Sequence, residues 1–344
     1  MLRDRAFEVT DSAARPSPIA RWRSLGGGEA IQRLLAFGAL VLLITFFSFW
    51  SPFFFNFDNL NNILIATSVV AVLALGETFV IVAGGIDLSI GTVMTLSAVM
   101  CATAIARWGL PVPVGILVGI GAGGLMGLIN GVLIARMKLP PFIATLGTLN
   151  VARGLSLAIA GLSPIYFPTD QLHGAIMGST LGAILPAFPI PNIAIVMLGA
   201  ALLAGLILSK TALGRYTYAL GSNEEAARLS GISIVKWKTA VYVLCGLFAG
   251  LGGVLLAARV SSAQPTLGYG YELDAISAVV IGGTSLAGGV GTILGTVIGA
   301  FIVKTLADGL QLVNVPQEWQ IVATGVVVIL AVYLDIVRRR GRES

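Results

Sequence analysis

The chain has 344 residues, of which 56% are hydrophobic and 11% charged, with a net charge of +5. An ordinary globular protein carries about 25% charged residues, so this chain cannot present enough polar surface to be soluble alone. One integral membrane domain is left. The position of the positive charges along the chain explains the net charge better than a nucleic-acid partner, and none is expected.

At about 20 residues per crossing, some ten crossings fit with short loops. Residues 1–30 are polar and arginine-rich (Arg3, Arg5, Arg15, Arg21, Arg23) and read as a tail. The first apolar run, 31–50, lies too far in and is too long for a signal-peptide core, so it reads as an uncleaved first helix. Further spans are expected near 62–82, 88–106, 112–135, 142–160, 191–209, 238–257, 273–283, 288–308 and 318–336. The piece at 273–283 is too short to cross unaided; it either extends into the preceding loop or is re-entrant. The expected fold is all-α, a polytopic helical bundle of about ten transmembrane helices with broken or re-entrant pieces.

With the N-terminus in the cytoplasm, alternation puts Arg136, Lys138, the loop 210–238 and Arg338, Arg339, Arg340 and Arg342 on the same side as the arginine-rich start. Only Arg107 and Arg259 fall outside, and Arg153 and Lys304 lie within spans. This is the positive-inside asymmetry, with both termini cytoplasmic and a short C-terminal tail at 338–344. The outer segment 161–190 carries Pro164, Pro168, Pro186 and Pro189 with Tyr166, Phe167, Phe188 and His173. It is either a half-inserted lip or a long external loop. Cys101 and Cys245 sit inside apolar stretches and read as packing residues, without disulfide or metal-ligand spacing; a single histidine, His173, leaves no His-built metal site. Gly115, Gly119, Gly123 and Gly127 share one helix face, as do Gly291, Gly295 and Gly299, spacings that let helix backbones approach closely in lipid.

Two glycine-rich polar breaks interrupt the apolar runs. The first reads Gly84-Gly85-Ile86-Asp87-Leu88-Ser89-Ile90-Gly91-Thr92 and the second Gly282-Gly283-Thr284-Ser285-Leu286-Ala287-Gly288-Gly289-Val290-Gly291-Thr292. Each ends one span and opens the next. Asp87 and Ser89, and likewise Thr284 and Ser285, stand where they can cap the following helix and satisfy N–H groups that lipid cannot. A place for Asp87 on a substrate or proton path is the alternative. Neither break has the lysine-bearing phosphate-loop pattern, so the chain has no visible nucleotide site.

In the loop 210–238, Ser222 or Asn223 is a candidate N-cap, Glu224 and Glu225 occupy a first turn, and Gly231 is a candidate stop. A helix of about two turns is marginal alone, so it needs the bundle, lipid or a partner protein to lean on. Among intramembrane charges, Lys304 and Asp308 are four apart on one face, a spacing that predicts mutual neutralisation. Glu77 and Asp87 are further intramembrane charges, with Arg153. Thr78, Thr95, Asn130, Thr145, Thr148, Asn150 and Thr305 either face a polar path or bond backbone within their own helices.

The first break and residues 219–232 resemble the permease subunits of bacterial ABC sugar importers of the ribose/xylose/arabinose/galactose type. Gly127-Leu128-Ile129-Asn130-Gly131-Val132-Leu133-Ile134-Ala135-Arg136, the run Leu139-Pro140-Pro141-Phe142-Ile143-Ala144-Thr145-Leu146-Gly147-Thr148 and the second break match in the same order. The resemblance covers roughly 31–337, a single permease domain, and leaves the N-terminal tail outside. It implies a transport subunit, not an enzyme, of the bacterial inner membrane. Two permease subunits, a homodimer or a related pair, would form the pore within membrane lipid. A periplasmic sugar-binding protein would deliver the cargo, and ABC ATPase subunits would supply ATP and magnesium chemistry, this chain binding no cofactor or metal. By the same resemblance Ser222, Asn223, Glu224, Glu225, Ala226, Arg228, Gly231 and Ile232 look like the helix that couples to the ATPase. Gly84, Gly85, Asp87, Ser89, Gly91, Gly282, Gly283, Thr284 and Ser285 look like structural locks beside the translocation path. Rival expectations are another cargo (autoinducer-2, a polyol, a nucleoside or a branched-chain amino acid), an ion-coupled secondary transporter working through Glu77 or Asp87, and a purely structural scaffold.

Overall fold

The computed structural model describes residues 28–343, apart from 185, 187 and 188. Most of the expected tail 1–30, with its arginines, therefore lies outside the described residues, as does Phe188. The long helices are α1 Gly28–Trp50, α2 Phe57–Val82, α3 Ile90–Ala106, α4 Val112–Gly131 continued by a π turn Val132–Arg136, and α5 Pro141–Ala160. After a two-residue strand β1 (Ile165–Tyr166) and the short helices α6 Gln171–Met177 and α7 Thr180–Ile184 come α8 Asn192–Lys210, α9 Ala212–Ser222, α10 Glu224–Leu229 and α11 Ile234–Val260. A second strand β2 (Ser262–Ala263) leads to α12 Tyr271–Ile281, α13 Ile293–Leu312 and α14 Gln317–Glu343.

Six of these helices are long and apolar enough to cross a membrane, and the apolar stretches Leu34–Trp50, Ile90–Ala106 and Gln317–Leu330 are shorter. With α12 they correspond one to one to the ten expected stretches. The fold is the expected all-α membrane bundle. At 11 residues and 1.5 Å per residue, α12 spans about 16 Å, half of a ~30 Å hydrocarbon core. The piece before it, 264–270, is not helical, so the crossing is a broken one. The span expected to open at 288 begins instead at Ile293, and α14 continues through the arginine run to Glu343.

The core is built around α2. Every residue from Thr67 to Val82 is buried, because α3, α8, α11, α12 and α13 all pack on it. An apolar helix surrounded by others needs no polar face, and α2 has none. The expected glycine face of α4 is real: a Cβ on Gly123 would meet backbone of Gly246 and Gly250, and one on Gly127 would meet backbone of Tyr242. Backbones in such contact gain dispersion energy that lipid cannot match. On the second expected face, Gly295 sits on Gly282 and Gly299 on Ala278, whereas Gly291 lies in the loop before α13 and is not part of it. Both cysteines are buried packing residues, Cys101 against Gly119 and Cys245 against Gly76.

One end of the bundle is closed by the proline-rich segment. Ile165 pairs with Ala263 and Tyr166 with Ser262, and His173 Nδ1 lies 2.8 Å from the Ala258 carbonyl. Two short helices and a strand paired with the one that follows α11 give the described residues of this segment, the lip, regular structure. Arg107 caps α5 from a neighbouring loop, donating to the carbonyls of Ile159 and, at 2.8 Å, Ala160. The two glycine-rich breaks and the 211–233 loop gather at the opposite end.

Candidate functional site

The first break starts where α2 runs out. Gly84 takes φ +81 and its N–H still bonds Ile81 O at 2.9 Å, a left-handed turn that suits glycine. Asp87 then organises the turn. Its Oδ1 accepts from Ser89 N at 2.9 Å and Ser89 Oγ at 2.6 Å, an Asx turn. Asn130 Nδ2 of α4 donates to Ser89 Oγ at 2.9 Å and reaches Asp87 Oδ2 at 3.3 Å. Thr148 Oγ1 of α5 donates to Asn130 Oδ1 at 2.6 Å, and Glu77 Oε1 accepts Asp87 N at 3.0 Å. The expectation that Asp87 and Ser89 cap α3 is thus corrected: Ser89 occupies the N-cap position without a side-chain cap bond. The two side chains tie the break to α4 and α5, whose amide and hydroxyl groups supply the donors that water would.

The second break departs from its expectation in the same way. Gly283 (φ +95), Gly288 (φ +85) and Gly289 (φ +74) take left-handed turns, and Ser285 N bonds Val290 O at 3.0 Å. The Thr284 and Ser285 hydroxyls are buried without a partner, so neither caps α13. Thr292 does, its Oγ1 accepting from Gly295 N at 3.2 Å, because the break runs to its last glycine, Gly291, before the helix opens at Ile293. Gly282 is required where it stands, since a Cβ would meet backbone of Gly295. Gly91 likewise abuts Gly268 and Glu272.

The two breaks meet. Gly289 N donates to Val82 O at 2.9 Å, joining the end of α2 to the loop before α13. Gly221, in the last turn of α9, lies against this junction: a Cβ there would meet Val82 O and would stand 2.5 Å from Gly289 N. Gly84 and Gly288 face the same residue, and Tyr218 Oη donates to Gly291 O at 2.7 Å. The end of α9 is therefore seated between both breaks, backbone on backbone.

From that seat the chain turns directly into α10. Asn223 is extended (φ −162, ψ 102) and its Oδ1 accepts from Ala226 N at 2.9 Å, so Asn223 is the cap and Ser222 closes the preceding helix. At the far end Gly231 N bonds Arg228 O at 3.0 Å and Ile232 N bonds Ala227 O at 3.1 Å, with Gly231 at φ +80. This is a Schellman stop. Lys238 Nζ holds Glu224 Oε2 at 2.6 Å, and Arg228 bonds Glu225, holding that carboxyl below its usual range and raising the guanidinium. The latter pair is exposed, so it orders the surface more than it stabilises the fold. Ala227 is buried against the bundle, while Leu229 is 78% exposed. A capped, anchored helix thus presents Ala226, Leu229 and Ser230 outward.

The structure also corrects the pairing of Lys304. Its Nζ lies 2.5 Å from Asp274 Oδ2 of α12, and Asp308 instead accepts from Asn59 Nδ2 at 3.0 Å. Of the span hydroxyls, Thr78 bonds Ala74 O and Thr296 Oγ1, both at 2.7 Å, and Thr95 bonds Gly91 O at 3.1 Å. Gly221 and Tyr218 were not singled out from the sequence. Gly221 stands immediately before the predicted cap, and only its position against Val82 and Gly289 reveals its use.

The sequence profile of a family described as the permease component of branched-chain amino acid transport systems matches residues 59–332. The ribose import permease protein RbsC of Escherichia coli K12 is 44% identical over 306 residues, covering 86% of this chain and 91% of that protein. The galactose/methyl galactoside import permease protein MglC of Haemophilus influenzae is 36% identical over 321 residues, covering 89% and 95%. The fructose import permease protein FrcC of Rhizobium meliloti is 36% identical over 285 residues, covering 82% and 79%. No solved structure matches the chain significantly.

Proposed function

As the chain belongs to this family of transport-system permease components, we propose that it is the membrane subunit through which an ATP-driven importer passes a monosaccharide across the bacterial inner membrane. The cargo class is supported by relatives named for ribose, galactose and fructose that align with most of the chain. The remaining parts of the transporter are ABC ATPase subunits, a periplasmic sugar-binding protein and a second permease copy or a related permease. ATP and magnesium act in the ATPase. The arginine distribution supports cytoplasmic termini, with the breaks and α10 on the cytoplasmic side and the lip outside.

The observation that carries the mechanism is the direct contact of Gly221 with both breaks, at the root of α10. An ATPase that grips α10 moves the end of α9, and α9 has no compressible side chain at Gly221 to absorb the motion. Closely packed backbones transmit displacement rather than deform. The push reaches Val82 at the end of α2 and Gly289 at the start of the turn into α13, so both sides of the bundle rearrange together. The Asp87–Ser89–Asn130–Thr148 network keeps the first break rigid and links it to α4 and α5. Proton or sodium coupling through Glu77 and Asp87 is disfavoured, since backbone and side-chain donors within the break already engage both carboxylates.

Reconstitution of the permease with its ATPase in proteoliposomes, with the binding protein outside and radiolabelled ribose, galactose, xylose or fructose as cargo, tests the proposal. Uptake of one of these sugars that requires ATP and the binding protein is expected. Uptake driven by a proton or sodium gradient without the ATPase would overturn it.

A further inference from the structure

Arg153 lies on α5 near the middle of a span, 12 residues after Pro141, which is about 18 Å along the helix. It is exposed on the protomer surface. A guanidinium at that depth facing lipid is costly, so such residues face a water-filled cavity or a polar partner. Asn150, three residues back, lies on the same side of α5 and is also exposed, between Arg153 and the exposed side chains of Phe142 and Leu146.

Arg153 opens onto a cleft that it lines together with Thr92, Thr95, Pro265, Thr266 and Tyr269. Its Cζ lies 5.7 Å from the centroid of the Tyr269 ring, and Tyr269 is 75% exposed. The backbone here is irregular for a membrane interior. Gly268 packs on Gly91 and Thr95, Gly270 takes φ +93, and the half-length α12 starts at the next residue. Irregular backbone at depth is tolerated where it lines a cavity. The Thr92 and Thr95 hydroxyls donate to Ser89 O at 2.9 Å and Gly91 O at 3.1 Å, and both side chains are buried, so they form the floor of the cleft.

Resting on the importer reading above, we infer that Arg153 and Tyr269, above a floor of Thr92 and Thr95, form a contact point for the sugar in transit. The chemistry matches a neutral polyhydroxylated cargo. The Tyr269 ring offers a flat apolar surface to a sugar C–H face, and the guanidinium donates to hydroxyl oxygens. Two exposed groups at a shallow surface cleft give the loose hold that conduction needs, since release matters as much as entry. The contact point lies beyond the first break on the side of the lip, so motion of the break at Asp87 and Ser89 shifts Thr92 and Thr95, one and two turns along α3.

Two measurements on the assembled transporter in proteoliposomes test this assignment. The first is thiol accessibility of Arg153→Cys and Tyr269→Cys, with Cys101 and Cys245 kept because both are buried. A membrane-impermeant cationic thiosulfonate is expected to label both cysteines and to block uptake. Labelling only by a lipid-soluble maleimide would mean that this face meets acyl chains, and protection from both reagents would mean a permanent contact with the second copy; either overturns the assignment. The second is uptake and ATP hydrolysis at saturating binding protein. Arg153→Gln, which removes a charge-assisted donor, and Tyr269→Ala, which removes the ring, are each expected to lower sugar moved per ATP about tenfold, and Tyr269→Phe, which keeps the ring, is expected to recover most of the loss seen in Tyr269→Ala. Uptake per ATP unchanged in both variants would overturn the assignment. A wild-type complex that shows no ATP-dependent uptake of any of the four sugars contradicts the importer reading instead, and the thiol labelling still reports whether water reaches this cleft.

Discussion

Replacing Gly221 with alanine separates seat from helix. Gly221 lies inside α9, so alanine is conformationally acceptable there and favours the helix by about 1 kcal/mol. The added Cβ has no room. It would lie 2.5 Å from Gly289 N and 2.9 Å from Val82 C, both backbone atoms that no rotamer change can move. Overpacking of this kind costs about 1–3 kcal/mol, and separating Gly289 N from Val82 O forfeits a further ~1 kcal/mol. The net expectation is a destabilisation of about 1–3 kcal/mol, read as a loss of several degrees in the melting temperature of the detergent-solubilised complex. The larger effect is on coupling: ATP hydrolysis continues and uptake per ATP falls, because the seat is shimmed apart. Gly205→Ala in α8, where a Cβ meets nothing, is the matched control and is expected to be neutral or slightly stabilising. A Gly221→Ala transporter with the melting temperature and coupling of the Gly205→Ala control would refute the account of the seat.

Three further outcomes are expected. Asp87→Ala strands the Ser89 amide and loosens Asn130, at about 1–3 kcal/mol for each unsatisfied donor, whereas Asp87→Asn keeps the acceptor and removes a charge beside Glu77; thermal melts should place the asparagine variant near wild type and the alanine variant well below it. Gly123→Leu drives a side chain into the backbone of Gly246 and Gly250, and loss of the monodisperse gel-filtration peak is expected, while Gly121→Leu, on the open side of the same helix, is tolerated. Lys304→Ala leaves Asp274 half-buried and unpaired, at about 3–5 kcal/mol, so it should melt lower than Asp308→Ala, and Lys304→Met with Asp274→Leu should recover most of the loss.

What could be read from the sequence is what local chemistry decides. The spans follow from hydropathy, since length and apolarity alone fix them. The helix after Asn223 could be read at both ends because its cap and its Gly231 stop lie within the helix and its flanks. Glycine likewise marks both breaks. The errors lie where partners are distant. Asp87 was assigned to the helix beside it, but its donors include Asn130, 43 residues away. Lys304 was paired with the carboxylate four residues on, but the tertiary packing of α12 on α13 brings Asp274 to it, 30 residues back. Thr284 and Ser285 stand near the glycines of the second break, and the turns through Gly288 and Gly289 postpone the helix until Thr292 can cap it. Gly221 carries no local signal, because a glycine chosen for close approach looks like any other until the opposing backbone is known.

The central claim is that an ATPase docks on α10 and drives the seat. A photoactivatable phenylalanine analogue at Leu229, the large apolar side chain that α10 leaves exposed, tests it most directly in native membranes. An adduct whose mass and peptides identify a Walker-motif ATPase is the predicted result. An adduct confined to lipid or to the permease itself, from membranes that transport sugar with ATP, would contradict it.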